Sequence, residues 1–264
     1  MGERATALIT GASSGIGAEL ARIFAASDHD LILVARRAER LEDLRDELAR
    51  YPVDVTVLRR NLALRTAPKA LHTTLTERDL RVDVLVNNAG VAYGGAFSAM
   101  DPEVVSRMVM LNAATLATLT RLLLPDMLAR GNGRILNVAS LAAFQAVPAL
   151  ALYAATKAFV LSFSEALAEE LRGSGVTVTA LCPGFTATDM VQDINHEGAL
   201  FDVPRFLQSD VRAVAQQGYD ACMAGETVRI PGIANQMSAL WTQTQPRALV
   251  RTLSGVFGRQ LLRP

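Results

Sequence analysis

The stretch TGASSGIG, from Thr10 to Gly17, decides the fold, because it follows a short apolar run and opens a helical one. Gly11 allows a tight turn, Gly15 lets the main chain approach a phosphate, and Gly17 lets the helix pack close to the strand. The N–H groups and the dipole of a helix N-terminus favour negative charge at this point. The stretch therefore predicts a site for the pyrophosphate of a dinucleotide. The alternative interpretation is an ordinary glycine-rich β–α turn.

Short β-rich runs alternate with longer helical runs along the rest of the chain. Several β-rich runs are continuously apolar, which is typical of strands covered on both faces. This alternation predicts a parallel sheet with helices on both sides and right-handed crossovers, a doubly wound α/β fold. The predicted strands are 5–10, 31–35, 53–58, 82–87, 134–140, 176–182 and 227–231, and the predicted helices are 15–27, 38–50, 65–79, 102–129, 151–173 and 208–224.

The composition of the 264 residues argues against several classes of protein. With 50% hydrophobic and 20% charged residues, the chain supports one sizeable core and is not typical of a disordered protein. The formal net charge is zero, so no overall field favours nucleic acid. The two cysteines and three histidines lack the spacing of metal ligands, so we predict no metal site. No leader-like segment and no long apolar run is visible, and we expect a cytoplasmic protein.

The chain is predicted to form one domain with an extension. Residues 1–231 form the doubly wound domain, which includes an irregular lid at 184–207. Residues 232–264 form a basic helical extension, because no acid follows Glu226 and arginines recur on one helical face. Such a helix can lie on an anionic membrane surface or bind a partner. We favour the commoner arrangement, in which it packs on its own domain, over membrane contact by 246–263.

The end of the second predicted strand indicates which dinucleotide binds. A site for NAD commonly has an acid here that accepts from the ribose 2′-hydroxyl. This chain has Arg36 and Arg37, and the next acid, Glu39, already belongs to the helix. The planar fork of an arginine can pair with a 2′-phosphate, whereas a cation at a helix N-terminus is unfavourable without an anion nearby. We therefore expect NADP(H), with Arg36 as the main ligand. The alternative is that both arginines begin the helix in solvent.

A second motif, YAATK, pairs Tyr153 with Lys157. Of the 26 Lys and Arg residues, only Lys69 and Lys157 are lysine. Positions i and i+4 share a helix face, and Ser140 ends the fifth predicted strand at the sheet edge where ligands bind. A nearby cation lowers the pKa of a tyrosine, and lysine supplies a compact charge with three donors. The motif predicts an acid–base pair, and chance pairing on an exposed helix is the alternative.

These motifs, together with NNAG (87–90), Asn112 and PGFTAT (183–188), resemble the short-chain dehydrogenase/reductase family in order and spacing over roughly residues 5–231. The resemblance implies a Rossmann fold with seven parallel strands in the order 3-2-1-4-5-6-7. It implies an NADP-preferring member that forms homodimers or homotetramers, through the helices predicted at 102–129 and 151–173.

The resemblance also implies a catalytic tetrad. Tyr153 corresponds to the general acid/base, and Ser140 to the residue that holds the substrate oxygen. Lys157 corresponds to the residue that binds the nicotinamide ribose and lowers the pKa of the tyrosine. Asn112 corresponds to the residue that anchors a water in the proton relay.

The cofactor site that the resemblance implies departs from the family at one position. The family usually has an aspartate after the third strand, where this chain has Asn61, whose carbonyl can accept from adenine without charge. We therefore expect slightly weaker cofactor binding. The implied cofactor-binding residues are Gly11, Ser13, Ser14, Gly15, Ile16, Gly17, Arg36, Arg37, Asn61, Leu62, Asn88, Ala89, Gly90, Tyr153, Lys157, Pro183, Gly184 and Thr188.

The residues around the predicted catalytic group are mostly apolar. The loop that follows Ser140 has one polar side chain, Gln145, and residues 91–99 are small or apolar. They predict a pocket for a hydrophobic ketone, although many of these side chains can instead belong to the core. The expected function is an NADPH-dependent reductase of a hydrophobic ketone. The alternatives are a 3-oxoacyl thioester reductase and, more distantly, a non-catalytic protein that senses NADP.

Overall fold

The computed structural model of the protein describes residues 4–186, 209–246, 248–252 and 254. Within them, a parallel sheet has seven strands in the order β3-β2-β1-β4-β5-β6-β7, which confirms the predicted topology. The strands are β1 (Thr6–Thr10), β2 (Asp30–Ala35), β3 (Val55–Arg59), β4 (Val84–Asn87), β5 (Gly133–Val138), β6 (Val176–Leu181) and β7 (Val228–Arg229).

Both faces of the sheet are buried, since alternate residues of a strand point to opposite sides. In β1, Ala7 and Ile9 belong to one apolar cluster, while Leu8 belongs to the other. The first cluster includes residues of α1, α2 and α7, and the second includes residues of α3, α5 and α6. The helices are α1 (Gly15–Ala26), α2 (Ala38–Leu48), α3 (Ala67–Glu77), α4 (Pro102–Val109), α5 (Leu116–Arg130), α6 (Ala151–Glu170), α7 (Val211–Ala224) and α8 (Ile233–Thr244).

A π-helical segment, Met110–Thr115, joins α4 to α5. The continuous helix Pro102–Arg130 has 29 residues and is long and apolar enough to span a membrane by length and composition alone. Half of its apolar window is buried inside the protein, which is typical of a core helix.

Two differences from the predicted elements concern the site. The fifth strand ends at Val138, so Ser140 does not end it but caps the short 3-10 helix Leu141–Phe144. The extension predicted at 232–264 forms a helix at Ile233–Thr244, which contains none of its arginines. The other predicted boundaries differ from the observed ones by a few residues, because helix and strand ends depend on capping and pairing more than on composition.

Candidate active site

A cavity of about 520 Å³ opens at the carboxyl edge of the sheet, between the segments that follow β1 to β6. Gly17 and Asn112 are buried behind its wall, and Thr188 lies outside the described residues. The sequence-predicted residues that line the cavity are Gly11, Ser13, Ser14, Gly15, Ile16, Arg36, Arg37, Asn61, Leu62, Asn88, Ala89, Gly90, Ser140, Tyr153, Lys157, Pro183 and Gly184.

The glycine turn forms one end of the cavity. Gly11 (φ +67°) and Gly15 (φ +56°) adopt left-handed conformations, which glycine tolerates best. A Cβ atom on Gly17 would lie 2.4 Å from the carbonyl oxygen of Gly11, so glycine alone lets α1 pack this closely. Gly15 and Ile16 line the cavity at the N-terminus of α1, whose first turn contains no acid. This end of the cavity therefore fits a pyrophosphate.

Thr10, for which the sequence predicts no role of its own, fastens the glycine turn to β4. Its hydroxyl donates to the Val86 carbonyl at 3.1 Å and accepts from the main-chain N–H groups of Asn88 and Ala89, both at 3.0 Å. The Asn88 amide donates back to the carbonyl oxygens of Thr10 at 3.0 Å and Gly11 at 3.2 Å. These bonds fix the turn relative to the next strand.

Positive charge gathers beside the turn, after β2 and β3. The Nη2 atom of Arg37 donates to the Ser14 hydroxyl at 2.7 Å, which places the guanidinium beside the glycine turn. Arg36 lines both the main cavity and an adjoining one of about 450 Å³. The described lining of the adjoining cavity contains Arg59 and Arg60 as well, and no acid. The edge of the site is therefore suited to a phosphate group next to Arg36.

The loop after β3 is held by the π-helical segment. Thr115 donates from its hydroxyl to the Leu62 carbonyl at 2.7 Å. The side-chain oxygen of Asn61 accepts from the Ala63 N–H at 3.2 Å. That oxygen keeps a second lone pair, which is enough for the bond to an adenine amino group that the family resemblance implies.

Ser140 and Tyr153 are brought together in the cavity. The N–H of Leu141 donates to the Pro183 carbonyl at 2.7 Å, which ties the loop that follows Ser140 to the end of β6. Tyr153 lies in the first turn of α6 and lines the cavity together with Ser140. Burial raises the pKa of Tyr153 above its ordinary value, and the Ser140 side chain opposes that rise.

Lys157 is 4% exposed and lies one helical turn after Tyr153. Its Nζ atom donates to the Val138 carbonyl at 2.7 Å and lies 5.8 Å from the centre of the Tyr153 ring. Burial lowers the pKa of Lys157 to about 8, and nearby Cys182 has a smaller opposite effect. The expected lowering of the Tyr153 pKa is not observed. Desolvation of the phenol raises that pKa, and the ammonium is bonded to the Val138 oxygen instead of the phenol.

Asn112 lies in the π-helical segment, a kind of helix irregularity that is frequent at functional sites. Its Oδ1 atom accepts from the Val91 N–H, and its Nδ2 atom donates to the Val91 carbonyl, both at 2.9 Å. Nδ2 also donates to the Thr156 hydroxyl at 3.1 Å. Both N–H groups of the amide are therefore used, and Asn112 braces the loop after β4 against α6.

The other end of the cavity is mostly apolar. Gln145 lines it, and its amide makes no hydrogen bond to any described residue. Lys157 is the only described cation near this end, since the remaining lining cations, Arg36, Arg37 and Arg60, follow β2 and β3. The apolar or aromatic residues at this end are Tyr93, Leu141, Ala142, Val147, Leu150 and Phe185.

The C-terminal extension supports the segment after β6. Asn235 of α8 donates from its amide to the Pro231 carbonyl at 2.7 Å. A Cβ atom on Gly184 would lie 2.7 Å from that amide, so the two segments are in close contact. The described part of the extension thus packs at the border of the cavity.

Comparison with known proteins identifies the family. The family model described as short chain dehydrogenase matches residues 5–199. The chain belongs to the short-chain dehydrogenase family. It is accordingly a nicotinamide-dependent oxidoreductase that acts on CH–OH and C=O groups, as the sequence predicted.

Relatives of this short-chain dehydrogenase are similar over most of its length. A short-chain dehydrogenase from Sphingobium yanoikuyae, solved in complex with NADPH, is 35% identical with a TM-score of 0.81, over 90% of this chain and 93% of that one. The bulky-bulky ketone specific alcohol dehydrogenase from Comamonas testosteroni is 30% identical with a TM-score of 0.77, over 92% and 96%. A 3-oxoacyl-(acyl-carrier-protein) reductase from Synechocystis is 32% identical over 234 residues, which are 86% of this chain and 95% of the relative.

Several residues that shape the site of this short-chain dehydrogenase carry little sequence signal. Thr10 could have been noticed as a hydroxyl at the end of β1. The carbonyl of Val138, which accepts from Lys157, has no side-chain signature. Asn235 contacts Gly184 from far along the chain, and nothing in the local sequence predicts that contact.

Proposed function

We propose that this short-chain dehydrogenase is an NADPH-dependent carbonyl reductase of hydrophobic ketones, which also catalyses the reverse oxidation of the alcohols. The observation that carries the proposal is the pairing of Ser140 and Tyr153 in the lining of one cavity. The pair lies in a cavity with a phosphate-fitting end and an apolar end. A nicotinamide dinucleotide and an apolar carbonyl compound can meet there.

NADP(H) is the proposed cofactor. The glycine turn would hold its pyrophosphate, and Arg36 and Arg37 would hold its 2′-phosphate. Asn61 would accept from adenine, and Lys157 would bind the nicotinamide ribose. Pro183 and Gly184 would border the nicotinamide. The NADPH complex of the Sphingobium yanoikuyae relative supports this choice over NAD(H).

The bound cofactor would supply hydride to the carbonyl carbon. Tyr153 would donate its proton to the oxygen on which negative charge develops, and Ser140 would donate a hydrogen bond to the same oxygen. Lys157 would supply positive charge next to that proton transfer. Because both N–H groups of Asn112 are used, it would hold a relay water through an acceptor atom.

A 3-oxoacyl thioester is the second candidate substrate. The Synechocystis relative is named as a reductase of such substrates, and Gln145 offers a free amide donor in an otherwise apolar end of the cavity. A 3-oxoacyl group carries a second carbonyl that such a donor can bind. Simple ketones have no second carbonyl, and the Comamonas testosteroni relative is named as specific for bulky-bulky ketones.

The remaining expectations about this protein become proposals. Residues 1–231 would form the catalytic domain, with a lid at 184–207 that lies mostly outside the described residues. Residues 232–264 would pack on the same domain. The enzyme would be cytoplasmic. Exposed apolar side chains on α4, α5 and α6 support assembly into a homodimer or homotetramer. Those side chains are Val109, Leu128 and Phe159.

The test of the function is cofactor oxidation by the purified protein, with NADPH and NADH each paired with bulky apolar ketones and with short 3-oxoacyl thioesters. Faster turnover with NADPH supports the cofactor proposal, and the preferred half of the panel decides between the two substrates. Binding of NADPH without turnover of any compound in a broad panel would contradict the proposed substrates.

Replacing Arg36 and Arg37 together by Ala is expected to raise the KM for NADPH by about 10- to 100-fold, since a charge-assisted pair contributes roughly 1.5–3 kcal/mol. The KM for NADH should change by less than about threefold, because NADH has no 2′-phosphate. Arg40→Ala, an exposed change on α2, is the control. Equal increases in KM for NADPH and NADH would show that the arginines do not bind the 2′-phosphate.

Gln145→Leu is expected to separate the two substrate classes. It should lower kcat/KM for 3-oxoacyl thioesters about 10-fold, the effect of losing one hydrogen bond to a buried carbonyl, and leave simple apolar ketones unaffected or improved. Gln216→Leu on α7, away from the described cavity lining, is the matched control. Parallel losses with both classes would assign Gln145 to the shape of the pocket instead of to recognition of a second carbonyl.

A further inference from the structure

One face of α8 exposes large apolar side chains to solvent. Ile233 is 76% exposed, Met237 68%, Leu240 63% and Trp241 43%. Their spacing of i, i+4, i+7 and i+8 places them on one side of the helix. We call these four residues the α8 stripe. Contiguous exposed apolar surface of this kind is uncommon on a soluble protein and marks a contact site.

The stripe is not the side by which α8 attaches to the domain. Ala239 and Thr242 are buried on the other side. Asn235 donates to the Pro231 carbonyl at 2.7 Å, and Gln236 donates to the Ile230 carbonyl at 2.9 Å. The helix is therefore fastened by its polar and small residues, and its large apolar residues are left outside.

The sequence of α8 and of the segment after it carries no negative charge. The twelve residues of α8 contain no charged side chain, and no acid follows Glu226 in the sequence. Leu249 and Arg251 are exposed in the segment after α8. The arginines that follow α8 in the sequence are Arg247, Arg251, Arg259 and Arg263.

We propose that the α8 stripe docks on an anionic lipid surface. Its side chains would enter the boundary between headgroups and acyl chains, Trp241 would lie at the level of the headgroups, and Arg251 would face lipid phosphates. Charge complementarity favours this partner over a second copy of the chain. A symmetric contact between two copies would bring two arginine-rich, acid-free segments together.

The position of α8 gives docking a consequence for the site. The helix packs against the 3-10 helix Leu141–Phe144 that follows Ser140, and its Asn235 contacts Gly184. Both contacts belong to walls of the apolar end of the cavity. A docked protein would therefore hold this end of the cavity close to the bilayer, where apolar substrates accumulate.

Vesicle flotation with the full chain tests the proposal without any turnover assay, so its outcome is independent of the proposed substrate. The probes are vesicles of phosphatidylcholine alone and vesicles containing about one third phosphatidylglycerol. The protein is expected to float with the anionic vesicles at low salt, and less at high salt because arginine–phosphate attraction is screened. Equal binding to neutral vesicles, or none to either, would overturn the proposal.

The double variant Met237→Gln, Leu240→Gln is expected to reduce the partition coefficient on anionic vesicles by roughly 10-fold or more, since two apolar side chains leave the lipid contact. Leu64→Gln is the matched control, because Leu64 is 55% exposed and lies in the segment between β3 and α3, outside α8. Thermal unfolding shows whether the variants fold. Unchanged flotation of the folded double variant overturns the proposal. A second outcome also overturns the proposal: the parent does not bind vesicles, and the double variant sediments differently from the parent. That outcome would assign the stripe to self-association.

Discussion

Tyr153→Phe is expected to lower kcat for NADPH-dependent reduction by about 10²-fold or more, the usual effect of removing a positioned proton donor. The variant loses only the hydroxyl that pairs with Ser140, and the aromatic ring keeps its packing. KM for NADPH should change little, because the glycine turn and the arginines are untouched. The loss of activity is therefore expected in kcat, and cofactor binding is expected to be retained.

Steady-state kinetics together with NADPH binding measured by fluorescence check this expectation. Tyr219→Phe is the matched control, because it removes a phenol hydroxyl on α7, where the ring packs on Phe24 away from the cavity. A Tyr153→Phe variant with more than about a tenth of the parent kcat would show that another group supplies the proton.

The raised pKa of Tyr153 also fixes the direction of the pH dependence. A phenol with a raised pKa is protonated at neutral pH, so it can donate a proton during reduction. Alcohol oxidation requires the deprotonated phenol, and its rate should increase with pH through the alkaline range. The Tyr153→Phe variant should lack that increase.

The positions of the ends of the site were predictable from sequence because they follow from strand order. Gly11, Arg36 and Ser140 each follow a recognisable apolar run, and parallel strands bring their carboxyl ends to one edge. Once the family resemblance implied the order β3-β2-β1-β4-β5-β6-β7, these residues were expected to meet. Their identities then indicated a phosphate at one end and a carbonyl at the other.

Details that depend on main-chain geometry were not predictable. The π-helical turn that contains Asn112 shifts the register of a helix whose composition is ordinary. The partner of Lys157 is a carbonyl group, which every residue carries. The α8 stripe is apolar at helical spacing, a pattern that ordinarily predicts a buried face. Only the structure shows that the stripe points outward.

Lys157→Met is expected to abolish most activity and at the same time to stabilise the protein at neutral pH. Activity should fall by roughly 10²-fold or more, because positive charge beside the proton transfer is lost. Methionine has a similar length and no charge to desolvate. Lys69→Met is the matched control, since Lys69 is the only other lysine and is exposed on α3.

The expected gain in stability follows from the pKa of Lys157, which falls from 10.5 to about 8 on burial. A shift of this size corresponds to roughly 3 kcal/mol. The Met variant leaves the Val138 carbonyl without its donor, which costs about 1 kcal/mol. The free energy of unfolding at pH 7 should therefore rise by about 2 kcal/mol, as measured by urea denaturation.

The pH dependence of this gain distinguishes desolvation from other causes. Below pH 8, Lys157 is charged in both the folded and the unfolded protein, so the folded state bears the full desolvation cost. Between pH 8 and 10.5 the folded protein releases the proton while the unfolded chain keeps it, so the parent becomes more stable with rising pH. The advantage of Lys157→Met should thus shrink by about 1 kcal/mol between pH 7 and pH 9.

A Lys157→Met variant that is less stable than the parent at pH 7 would show that the bond to Val138 outweighs desolvation. A gain that persists unchanged at pH 9 would show that better packing, and not charge, is responsible. If the gain appears and shrinks as expected, the buried lysine is a destabilising group in the described fold. Its presence would then be explained by the proton transfer at Tyr153, since activity at a site commonly costs stability.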